Sequence, residues 1–91
     1  MKSSQTNLTI VEDLQASMAN IHSKVANNET IDAHDITQAL RTCTHSKTIS
    51  NIMDALHGIY EKNLLQVDAD GWVSIMTEAH IAKARIEGLH L

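Results

Sequence analysis

The stretch SKTISNIMD, residues 46–54, carries a set of side chains that can read nucleic acid. On a helix entering a major groove, Lys47 suits guanine acceptors, Asn51 can pair bidentately with adenine, and Asp54 can accept from the cytosine amino group. Ser46, Thr48 and Ser50 complete the candidate DNA-binding set, and the helix N-terminus itself can hold a phosphate. The same polar face also has a plain use, which is to solvate the outside of a helix.

A second group with chemical potential is Cys43, His45 and His34. The Cys-x-His spacing lacks the paired Cys-x-x-Cys or His-x-x-x-His pattern of zinc sites, so no metal is expected. Cys43 as a nucleophile would need a base, an orienting group and a cleft, and the sequence supplies no third partner for it. The three glycines are scattered at 58, 71 and 88 and form no phosphate-binding loop. Neither an enzyme nor a cofactor is expected.

Ninety-one residues with 43% hydrophobic content suit one small domain. With no Phe and only Trp72 and Tyr60 as large aromatics, the core must come from Ile, Leu, Val, Met and Ala. The single cysteine excludes an internal disulfide, and a reduced, cytoplasmic setting is the simplest expectation. MKSSQTN is not followed by an apolar segment and the apolar runs are short, so neither a signal peptide nor a membrane span is expected. The net charge of -4 works against binding a phosphate backbone.

The elements that must position these residues follow from periodicity and caps. Residues 1–7 read as a flexible tail and 8–91 as the domain. Thr9 and Glu12 have capping-box spacing, and Val11, Leu14, Met18, Ile21 and Val25 recur at steps of three and four to give a first helix ended by Asn27-Asn28. Asp32 is the expected N-cap of a short second helix reaching about Arg41, with Ile31 and Ile36 as a staple. A third helix spans about 46–62, ended by Asn63. LLQVDADGWVSI, residues 64–75, then reads as a hairpin with Ala69, Asp70 and Gly71 in its loop, pairing Val67 with Val73 and Leu65 with Ile75. Thr77 would cap a last helix carrying Ile81, Ala82, Ile86 and Leu89.

This order resembles a winged helix-turn-helix domain, a mainly α fold with a small β-hairpin. Thr48, Ile49, Ile52, Leu56, Asn63-Leu64-Leu65, Asp70-Gly71 and Met76-Thr77 resemble the second half of the MarR, ArsR and PadR type of small regulator. The resemblance covers about residues 31–87. It implies a DNA-binding transcriptional regulator with the third helix as reader and residues 64–75 as the wing. It also implies a homodimer, for which Val11, Leu14, Met18, Ile86 and Leu89 are the candidate contacts.

Two departures open an alternative. The third helix is about one turn longer than the family's, and the wing carries Asp68 and Asp70 where the family commonly has cations. An acidic wing with an outward Trp72 suits a protein-interaction module that docks a protein partner through Asp68, Asp70 and Trp72.

Overall fold

A computed structural model of the chain describes residues 2–88, with side chains described from Thr9 onward. It has four helices: α1 (Lys2–Ala26), α2 (Ala33–Thr42), α3 (Ser46–Glu61) and α4 (Ala69–Gly88).

Asn28 and Asn63 stop two of these helices in the same way. Both have left-handed backbones, with φ of 56° and 60°. After α1, the Glu29 amide donates to the Lys24 carbonyl and the Asn28 amide to Val25; after α3, Leu64 donates to Ile59 and Asn63 to Tyr60. Each pattern satisfies the last free carbonyls of its helix, and asparagine tolerates the left-handed residue it requires. The chain then passes through Ile31 in one half and Leu65 in the other. These two residues form a parallel bridge, Ile31 donating to Leu64 and Gln66 to Ile31.

An aspartate starts the next helix in both halves. Asp32 accepts from the Asp35 amide, and Asp35 accepts in return from the Asp32 amide, which closes a capping box on α2. Asp68 accepts from the Gly71 amide at 2.7 Å and so caps α4. The molecule is thus two helix–loop–helix units, α1–α2 and α3–α4, tied loop to loop.

The core forms where all four helices meet. Met18 and Ile21 of α1, Ile36 and Leu40 of α2, Ile52 and Leu56 of α3, and Ile75, Ala82 and Ile86 of α4 are buried together with Ile31. Each of the isoleucine, leucine and methionine side chains contributes roughly 1.5–3 kcal/mol by leaving water. α2 and α4 form the most extensive helix pair. Gly71 permits their approach, because a Cβ there would lie 2.9 Å from Val67 Cγ1 and 3.1 Å from Ala33 Cβ.

The winged-helix expectation is overturned. Among the described residues no strand forms beyond the single Ile31–Leu65 bridge, and residues 69–75, expected as hairpin loop and second strand, are the first two turns of α4. The reason is a second periodicity in the same residues. Gly71, Ile75, Ala82 and Ile86 recur at steps of four and seven and bury one helical face, which the alternation of Val67 with Val73 masks. Gly71 has no positive φ, so it serves close packing and not a turn. Thr77 lies inside α4 and caps nothing, and α1 begins at Lys2, within the segment expected to be a tail. The space around the missing Cβ of Gly58, inside α3, is open. No helix among the described residues is long and apolar enough to cross a membrane.

Candidate functional site

The residues expected to read DNA do not share one surface. Lys47, Ser50 and Asp54 are exposed on α3, but Thr48 is fully buried and Ser46 and Asn51 are half-buried. The cations are dispersed as well. Lys24 pairs with Asp35 at 2.9 Å, Arg41 with Glu78 at 2.7 Å, and the Arg85 guanidinium donates to the Leu40, Arg41 and Cys43 carbonyls. Lys47, Lys62 and Lys83 make no ion pair among the described residues.

Cys43, Thr44 and His45 form the turn between α2 and α3, and two outer helices hold it. From α1, the Asp13 carboxylate accepts from the Thr44 amide (2.9 Å), the Thr44 hydroxyl (2.9 Å) and the His45 amide (3.2 Å), with His45 Nδ1 at 3.5 Å. An anion thus covers the start of α3, whose N-cap residue His45 makes no side-chain cap of its own. From α4, Arg85 covers the end of α2. Burial pushes the Asp13 carboxyl up, but the hydrogen bonds from the Thr44 amide and hydroxyl and from His45 hold it below its ordinary value.

The Cys43 thiol is fully buried and donates to the Leu40 carbonyl at 3.0 Å. Burial, and then the charge of Asp13, push its pKa above the ordinary value, which keeps it protonated and unsuited to nucleophilic attack. Among the described residues no three His, Cys, Asp or Glu side chains converge in a way that could hold a metal ion.

The expected wing residues lie at the start of α4. Asp68 is its cap, Asp70 is exposed in its first turn, and Trp72 follows with 37% exposure. Trp72 faces α3 across a cleft of about 200 Å³ lined by Met53, Leu56, His57, Tyr60, Leu65 and Trp72. Tyr60 on the opposite wall is 67% exposed. Val73 and Met76, one and four residues beyond Trp72, are exposed and extend the apolar surface along α4.

The sequence points to Trp72 but not to the rest of the cleft, because Met53, Leu56 and Tyr60 recur at steps of three and four, the spacing of a core-facing stripe. A signal was available: a chain with one Trp, one Tyr and no Phe has few aromatics to place, and both line the same cleft.

Of the candidate dimer residues, Met18 and Ile86 are buried in the domain's own core, and Leu14 is packed against it. Val11 is exposed, and Leu89 lies outside the described residues. Comparison with known protein families, characterised proteins and solved structures finds no match to this chain.

Proposed function

We propose that this protein is a helical interaction module that docks a protein partner in the cleft between α3 and α4. The observation that carries this reading is the placement of the aromatics. Large aromatic side chains dominate core energetics where they are buried and binding energetics where they are exposed at an interface. Here the core is built without them, and Trp72 and Tyr60 flank one open cleft. The cleft is smaller than the roughly 300–1,000 Å³ of typical small-molecule sites, which favours anchoring side chains of a larger partner.

The dispersed cations and the net charge of -4 make DNA the less favoured partner. Affinity capture from the source cell, comparing the wild-type chain with Trp72→Ala and Tyr60→Ala, tests the proposal. Recovery of a partner that falls sharply with both variants, while far-UV circular dichroism is unchanged, supports it. Equal recovery with all three chains contradicts it, and titratable DNA binding at about 50 mM salt that ignores Trp72 would favour the nucleic-acid reading instead.

A further inference from the structure

We infer that the occupant of this cleft is a basic amphipathic helix of the partner protein, an inference that rests on the docking reading above. The cleft lies between two helices, and the one bridge among the described residues, Ile31–Leu65, offers no strand edge for an extended peptide to join. A helix laying large apolar side chains, three or four residues apart, into a groove is the mode that suits a cleft walled by two helices.

His57 lines the cleft, and its neighbours on the same row of α3 are Asp54, three residues before it, and Glu61, four residues after it. On the facing wall, the Trp72 amide donates to the Asp68 backbone carbonyl, while the Asp68 carboxylate caps α4 and lines a separate cleft with His34 and Gln66. The Asp54 and Glu61 carboxylates are on exposed residues. The nearest cation in sequence, Lys62, lines a separate cleft with Met18, His22 and Val25 on the α1 side of α3. Lys83 is eleven residues beyond Trp72, about 16 Å further along α4. The α3 rim on either side of His57 is therefore acidic beside an apolar floor, which matches a partner helix with an apolar stripe flanked by Lys or Arg. A second copy of this chain would bring a like-charged rim against it.

The test is selection of helical peptides from a random displayed library by the intact protein, followed by titration of synthetic copies. Trp72, as the single tryptophan, reports docking through its emission. The inference expects enriched peptides to be cationic with large apolar residues three or four positions apart. It expects binding to shift Trp72 emission, to weaken with salt, and to weaken about three- to tenfold in Asp54→Asn/Glu61→Gln. Enriched peptides that perturb Trp72 but are neutral or acidic, or that ignore salt and the double variant, overturn the charge inference and leave the docking reading standing. Peptides that leave Trp72 unperturbed, or no enrichment at all, overturn both. Trp72 emission that changes with protein concentration alone, alongside a sedimenting dimer, makes a second copy the occupant and overturns the basic-helix assignment.

Discussion

Asp13 of α1 and Arg85 of α4 grip the same three-residue turn from opposite sides, the carboxylate taking the Thr44 and His45 amides while the guanidinium donates to the Cys43 carbonyl at 3.0 Å. Each charge has the sign that the helix end beside it favours: negative at the start of α3 and positive at the end of α2. The outermost helices of the chain are thereby fastened to its middle. Without this grip, backbone groups at both helix ends, from buried Cys43 to exposed Thr44, would need other partners.

Removing the carboxylate should be costly. Asp13→Ala is expected to lower unfolding free energy by about 1–3 kcal/mol, the range for losing hydrogen bonds to a charged group and leaving their partners unpaired. Asp13→Asn keeps an acceptor oxygen and should lose less. Because Arg85 holds the same turn, Asp13→Ala and Arg85→Met should be non-additive, with a coupling of about 0.5 kcal/mol or more in a urea-denaturation double-mutant cycle. Strict additivity would mean that the two contacts act independently.

The pH dependence follows from the two carboxylates with lowered pKa. For Asp35, burial works upward, but the hydrogen bond and charge of Lys24 and the Asp32 amide prevail, so both Asp13 and Asp35 titrate below their ordinary values in the folded protein. The unfolded chain then binds protons first, at about pH 4, so their stabilising contribution is complete at neutral pH and is lost as pH falls through and below that range. Thermal unfolding from pH 7 down to pH 3 should show a declining melting temperature, and Asp35→Asn should be less stable at pH 7 with a shallower acid decline. On the alkaline side the raised Cys43 thiol acts in reverse. Its contribution is full below the unfolded value of about 8.5 and is lost as pH rises beyond it, a loss that Cys43→Ala abolishes.

Two glycines in helices should respond to alanine with opposite signs. At Gly58 nothing lies within 4 Å of the added Cβ, so Gly58→Ala should stabilise α3 by up to about 1 kcal/mol. At Gly71 the new methyl meets Val67, Ala33 and Asp68 at 2.9–3.1 Å, so Gly71→Ala should destabilise by about 1–3 kcal/mol despite its better helix propensity. Chemical denaturation of the two variants side by side measures the difference.

The start of α4 makes a further prediction. Asp68→Ala removes the acceptor for the Gly71 amide and should cost about 1 kcal/mol, with Asp68→Asn or Asp68→Ser recovering most of it. The Asp70→Ala change, one position from the same turn but outside the cap, should be nearly neutral.

These contacts also show how far the sequence could be read. The Asn28 and Asn63 stops, the Asp32 cap and the Met18–Ile21 seam were legible because each is a local signal: a left-handed residue, a side chain reaching its own backbone, a helical spacing. The second half went wrong at Asp68–Gly71, where one tetrapeptide suits a hairpin loop and a capped helix start equally. What decides between them is non-local, namely the fit of Gly71 against Ala33 and the bridge from Leu65 to Ile31. The cleft was hidden for the same reason. Tyr60 sits on a face with Met53 and Leu56 that sequence spacing points inward, and only the position of α4 leaves Tyr60 at the surface. The Asp13–Arg85 grip joins residues far apart along the chain, beyond the reach of any local pattern.

Trp72 stands opposite Tyr60 because α4 begins at Ala69, capped by Asp68. Solution NMR of the 91-residue chain measures it directly. Helical Cα shifts running without a break from 69 to 88, with nuclear Overhauser contacts from the Trp72 indole to Leu65 and the other cleft side chains, are the expected result. Extended shifts at 72–75 with cross-strand contacts between Val67 and Val73 would contradict the fold, the cleft and the docking reading together.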